Sequence, residues 1–221
     1  MRITNKDIRV DLYAKPSLDM SEDLQAIYEH FNKRLFEFRL PNCMITLKPY
    51  KGSGGYFSIG SYDRRDGKKS DEITINPLLY CADNPKDFLA IFVHQMVHID
   101  QHHFGNPGRG VYHNREFAEK MLEIGLQPSK TGEEGGRETG DTIHQIVIAG
   151  GVFEKAADEL DIRSQLLTWR NISFDLGKAK NSSKSGKHAN YVCPSCGLLA
   201  QSRHGVRIAC VDDGELMLAR V

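Results

Sequence analysis

The five residues His94-Gln95-Met96-Val97-His98 restrict this chain more than any other stretch. Two histidines at i and i+4 leave one face of a helix together, close enough for both rings to hold one metal ion. In the hydrolytic form of the pattern, H-E-x-x-H, the glutamate takes a proton from the attacking water and returns it to the leaving amine. Glutamine has nearly that shape and no basic carboxylate. The chain therefore keeps the metal-binding pair and lacks the base.

The surrounding pattern predicts a helix opened by Pro85 and running to about His103. Phe88, Phe92, Met96 and Ile99 form one apolar stripe, with His94, His98 and His102 on roughly the opposite side, as expected of a helix lying between a core and a site. Unpaired imidazoles are costly to bury there, which strengthens the metal reading. After a glycine-containing turn (105–110), His113 heads a second helical stretch reaching Ile124 and can fold back as a third ligand. Glu116 competes for that role and is the weaker choice. Three protein ligands plus water make the open arrangement of a catalytic zinc. A metzincin site needs glycine and histidine where this chain has Gln101 and Phe104, so that extension is excluded. His102, His103 and His144 read as supporting polar residues.

Upstream, Ser17 or Ser21 can cap a helix in which Leu24, Ile27, Tyr28, Phe31 and Leu35 recur at helical spacing to about Phe38. Alternating stretches at 43–50, 56–62 and 72–76, joined by short turns with a charged tip at 63–69, predict a three-stranded antiparallel sheet. Residues 127–141 read as an exposed loop, and 146–169 as further packing that includes a helix. Cys43 and Cys81 read as small core residues.

At the C-terminus, Cys193-Pro194-Ser195-Cys196-Gly197 is a zinc-knuckle signature, two thiolates with a glycine that permits the tight turn. The second knuckle, Cys210-Val211-Asp212-Asp213-Gly214, has Asp213 where a fourth cysteine is expected. Cys193, Cys196 and Cys210 are thus three candidate zinc ligands, with Asp213 as the fourth and His204 its competitor. The division expected is 1–175 for the histidine-bearing domain, 176–189 for a basic linker and 190–221 for a zinc ribbon.

Together these motifs resemble the SprT-like metalloprotease family. The match runs through the 94–98 segment, Gln101-His102, Gly105 and Tyr112-His113-Asn114 to Phe117, and extends to the preceding helix, the three strands and the ribbon. The resemblance implies an α+β minimal zincin domain holding a catalytic Zn²⁺, a second structural Zn²⁺ in the ribbon, and endopeptidase action on a protein or peptide substrate. Members are DNA-associated or presumed so, and the eukaryotic Spartan branch cleaves proteins crosslinked to DNA. Gln95 departs from the family pattern. We read it first as an engineered exchange that silences a protease, and second as the mark of a natural pseudoprotease that binds without cutting.

Charge gives no global case for nucleic acid, since Lys+Arg and Asp+Glu both total 29. The distribution says more: 176–221 holds seven Lys/Arg against three acids, the asymmetry of a tail that contacts DNA. No stretch is apolar enough for a membrane span, and residues 1–10 show no signal-type apolar core. Five cysteines, three crowded at metal-like spacing, suit a reducing cytoplasm, with nucleoid association if DNA is a partner.

Overall fold

Helix α2 (Pro85–Phe104) is the element around which the N-terminal part of the chain is built, contacting both strands and helices. The computed structural model describes residues 13–49, 54–77, 85–160, 169, 188–203 and 207–220. The chain divides into two units, Met1–Asn171 and Ile172–Val221. Residues 176–187 of the expected linker, with Cys81 and His204, lie outside the described residues. Among those described, no helix is long and apolar enough to cross a membrane.

In the first unit, α1 (Pro16–Leu35) buries Leu24, Ile27, Tyr28, Phe31 and Leu35, the residues whose spacing predicts it. It starts at Pro16 rather than at a serine cap. Lys15 is the N-cap and makes no side-chain capping bond, since its ammonium has no acceptor; proline in the first turn supplies a helical φ. The α2 stripe of Phe88, Phe92, Met96 and Ile99 is fully buried against the same core. Short α4 (Val152–Asp158) closes it, with Phe153 stacked on Phe31 at 5.7 Å between ring centroids. After α1 the chain turns through Glu37 and Phe38 at positive φ, and Asn32 closes the turn with two hydrogen bonds to the Leu40 backbone. Arg39 then grips Asp100 through two 2.7 Å hydrogen bonds, tying this turn to α2 two residues past His98.

Strands β1 (Met44–Leu47), β2 (Gly55–Asp63) and β3 (Lys69–Ile75) form a mixed sheet of order β1-β3-β2. This corrects the antiparallel expectation. β2 and β3 do make a hairpin, but β1 lies parallel to β3 on its other edge, in register Thr46↔Thr74. The reason is visible in β3, where Glu72 to Asn76 are all buried and so need neighbours on both sides. The parallel register stacks Ile45 and Leu47 with Ile73 and Ile75. It also brings Thr46 and Lys48 to Glu72 at 2.6 and 2.7 Å. Burial opposes the Glu72 charge, and hydrogen bonds from Lys48, Thr46 and Thr74 outweigh it, holding the carboxyl below the usual range.

Beyond α2, α3 is confined to Arg115–Glu123, with Asn114 as its N-cap. His113 is therefore not in the helix as predicted; it pairs with Gly140 in an isolated antiparallel bridge. The segment expected as an exposed loop contains β4 (Leu126–Ser129), paired with β5 (His144–Val147), and its residues Pro128, Ser129 and Gly140 are buried. In the second unit, β6 (His188–Val192), β7 (Leu199–Arg203) and β8 (Leu218–Arg220) form an antiparallel sheet of order β7-β6-β8 over a small core of Tyr191, Cys193, Cys210 and Met217.

The start of β2 depends on a glycine. A Cβ on Gly55 would stand 2.5 Å from the Thr74 carbonyl oxygen, so any side chain forces β2 away from β3. Gly55→Ala is expected to destabilise the protein by about 1–3 kcal/mol, in the manner of an overpacked site. Urea unfolding should show the midpoint falling with an unchanged slope.

Candidate metal centres

The outer face of α2 presents His94 and His98, one turn apart, and the 105–113 loop returns His113 to them. The ring centroids form a near-equilateral triangle of 5.1, 5.1 and 4.9 Å. Phe117, from the first turn of α3, packs against all three rings at 4.5–5.1 Å. His94 Nε2 and His113 Nε2 lie 3.1 Å apart.

Each imidazole is held neutral. Burial, then the two neighbouring histidines, depress His94 well below its ordinary value. Burial, then His113, lowers His98 to about 3. His113 is lowered by burial against the opposing pull of the Gly140 carbonyl and Asp141. Its tautomer follows from its partner: Nδ1–H donates to the Gly140 carbonyl at 3.0 Å, so Nε2 carries the lone pair that faces His94. Tetrahedral zinc with bonds of about 2.0–2.1 Å separates its nitrogen ligands by about 3.3 Å. The three neutral histidines fit such an ion in donor type and in spacing.

Gln95 is buried beside them, and its Oε1 has no hydrogen-bond partner among the described residues. A Cβ on Gly55 would meet Gln95 Cγ at 3.5 Å, which places this side chain against the first residue of β2.

Glu116, the rival third ligand, is engaged elsewhere. Its carboxylate accepts the Asn106 N–H at 2.7 Å, the Asn106 amide at 3.2 Å and Gln101 Nε2 at 3.2 Å. Asn114 caps Phe117 N at 3.0 Å, accepts from Gln101 at 2.8 Å and donates to the Asn106 carbonyl at 2.8 Å. These four side chains close the loop that delivers His113. Sequence reasoning missed the parts played by Gly140, Asn106 and Gln101. Of the four, Asn114 alone carried a local signal, as a capping residue three before Phe117. His102 and His103 do not join the three histidines and gather instead with Asp71. His144 stands exposed on β5, near enough to add to the depression of His94.

In the second unit, Cys193, Cys196, Cys210 and Asp213 come together with ligand atoms all within 4.8 Å. Cys196 Sγ and Cys210 Sγ are 3.6 Å apart, and Asp213 Oδ2 lies 3.2 Å from Cys193 Sγ and 3.5 Å from Cys210 Sγ. Zinc with thiolate bonds of about 2.3 Å sets sulfurs about 3.8 Å apart, so this donor set also fits. Both turns share one backbone pattern. Gly197 N–H donates to the Cys193 carbonyl and Cys193 N–H to the Leu198 carbonyl; Gly214 and Cys210 repeat this with Cys210 and Glu215. With protons in place of metal, Asp213 pushes the Cys196 thiol up to about 12, and the thiols lower Asp213.

A helix bearing histidines at i and i+4, joined by a third histidine from a returning loop, is the donor arrangement of three-histidine metal proteins. Within that class, the SprT-like family model matches residues 24–134, half the chain, and the chain belongs to this family. A Salmonella typhimurium protein described as an uncharacterized protein in the mucB 3′ region is 39% identical over 59 residues, 26% of this chain and 80% of that protein. Family membership implies zinc, and the histidine group is a candidate to hold it.

Zinc analysis of the purified chain should give two tightly held ions. Cys193→Ser should remove one and His98→Ala the other; a single ion untouched by Cys193→Ser would mean that the knuckles hold no metal.

Proposed function

We propose that this chain is a SprT-like zinc endopeptidase scaffold held in an inactive form by Gln95. The observation that carries the reading is the convergence of three neutral imidazoles beside a buried Gln95 whose Oε1 lacks a partner. Zinc held by His94, His98 and His113 would polarise a peptide carbonyl and make water a stronger nucleophile near neutral pH. The protein residues supply the rest. His113, fixed by the Gly140 carbonyl, keeps its lone pair on the metal side. Position 95 faces the start of β2, where a carboxylate would accept the water's proton and pass it to the leaving nitrogen. An amide has no site for that proton. β2 is an edge strand of its sheet among the described residues, and an extended substrate segment can align on it by strand addition.

Gln95→Glu should raise cleavage of a loosely folded protein substrate by roughly 10² to 10⁴, the usual contribution of a general base. Zinc content should stay the same. Equal and measurable zinc-dependent activity of the two forms would show that another residue is the base.

The C-terminal segment, as a zinc ribbon with a basic linker, is proposed to contact DNA. Its support is the excess of four positive charges in 176–221 within a chain of zero net charge. Removing 178–221 should weaken DNA binding and flatten its salt dependence, because fewer counterions are released. Undiminished binding would assign the segment to protein contacts. A second reading, a natural pseudoprotease that binds protein or DNA without cutting, uses the same histidine geometry beside Gln95. It predicts that Gln95→Glu gains zinc-dependent cleavage of nothing.

A further inference from the structure

Another set of metal-binding side chains lies at the C-terminal end of α2, separate from the three-histidine group. Asp71 of β3 and His102 and His103 of α2 offer ligand atoms all within 4.8 Å of one another. His103 Nε2 is 2.7 Å from Asp71 Oδ2, and the His102 and His103 rings meet edge to face at 4.8 Å. His102 also packs on Phe57, with ring centroids 5.9 Å apart.

The carboxylate is aimed. Gly60 N–H donates to Asp71 Oδ1 at 2.7 Å, which leaves Oδ2 directed at His103. Gly60 has φ of 56° and lies where the β2 register shifts between Ser58 and Tyr62. This bulge turns an N–H onto the carboxylate, in a conformation that side-chain-bearing residues resist. Asp71 is 12% exposed and His103 33%, so the pair is shielded yet reachable from solvent.

We propose that Asp71, His102 and His103 bind a divalent transition-metal ion such as zinc, which two imidazoles and one carboxylate hold in known catalytic sites. Adjacent residues on a helix diverge by about 100°, so the site is looser than one built on an i, i+4 pair. It is therefore an exchangeable site, with open positions taken by water. An ion there ties the β2 bulge to the end of α2. Phe57 lies against both metal groups, with its ring 6.4 Å from that of His98.

The test is a titration of the full-length chain with Zn²⁺ against a chromophoric chelator near neutral pH, after gel filtration has removed exchangeable metal. One further equivalent, weaker than the retained zinc, is expected. Asp71→Asn, His102→Gln and His103→Ala should each weaken it by on the order of tenfold or more with an unchanged circular dichroism spectrum. His94→Ala should lose one of the two retained zinc ions and keep this equivalent, so the site stands or falls separately from the proposed active centre. Three variants keep the test alive if one fails to fold. The proposal is overturned if no further equivalent binds, if it is unchanged in all three variants, or if His94→Ala abolishes it.

Discussion

The structure depends on keeping three imidazoles uncharged in one desolvated cluster on the face of α2 opposite its apolar stripe. Water would solvate these rings singly, and burial removes that option. A cation bound by the lone pairs restores what desolvation takes away, and only if the rings converge. Much of the first unit serves that convergence. The apolar stripe fixes the rotation of α2, and Arg39–Asp100 fixes its C-terminal half to the turn after α1. Phe117 packs on the rings, and the Gly140 carbonyl sets the tautomer of His113.

The parts of the site that a sequence reader can see are those set by short-range periodicity. The His94–His98 spacing and the stripe of Phe88, Phe92, Met96 and Ile99 obey one helical period, and both are in place. The return of His113 follows from a loop too short to carry it far. Its backbone pairing with Gly140 is 27 residues distant and left no local trace. The same limit explains the sheet. Alternation identifies strands, but the order β1-β3-β2 is decided by which strand can be buried on both sides. Only the polar set Thr46, Lys48, Glu72 and Thr74, read across two strands, carries that information.

The second unit follows more local rules. Each turn is built from a cysteine carbonyl, a glycine four residues on and the residue after it, and the pattern repeats at 193–198 and 210–215. Asp213 falls on the fourth corner because the turn geometry puts position 213 where Cys196 sits in the first turn. A carboxylate is a harder partner for zinc than a thiolate, so this group would hold a zinc ion less firmly than four cysteines would.

The most direct test of the central claim is zinc X-ray absorption on the Cys193→Ser chain, where the histidine group would be the remaining tight site. The account predicts a first shell of nitrogen and oxygen alone at about 2.0–2.1 Å, with the outer scattering of imidazole rings. A sulfur shell near 2.3 Å, or a chain that retains no zinc, would contradict it.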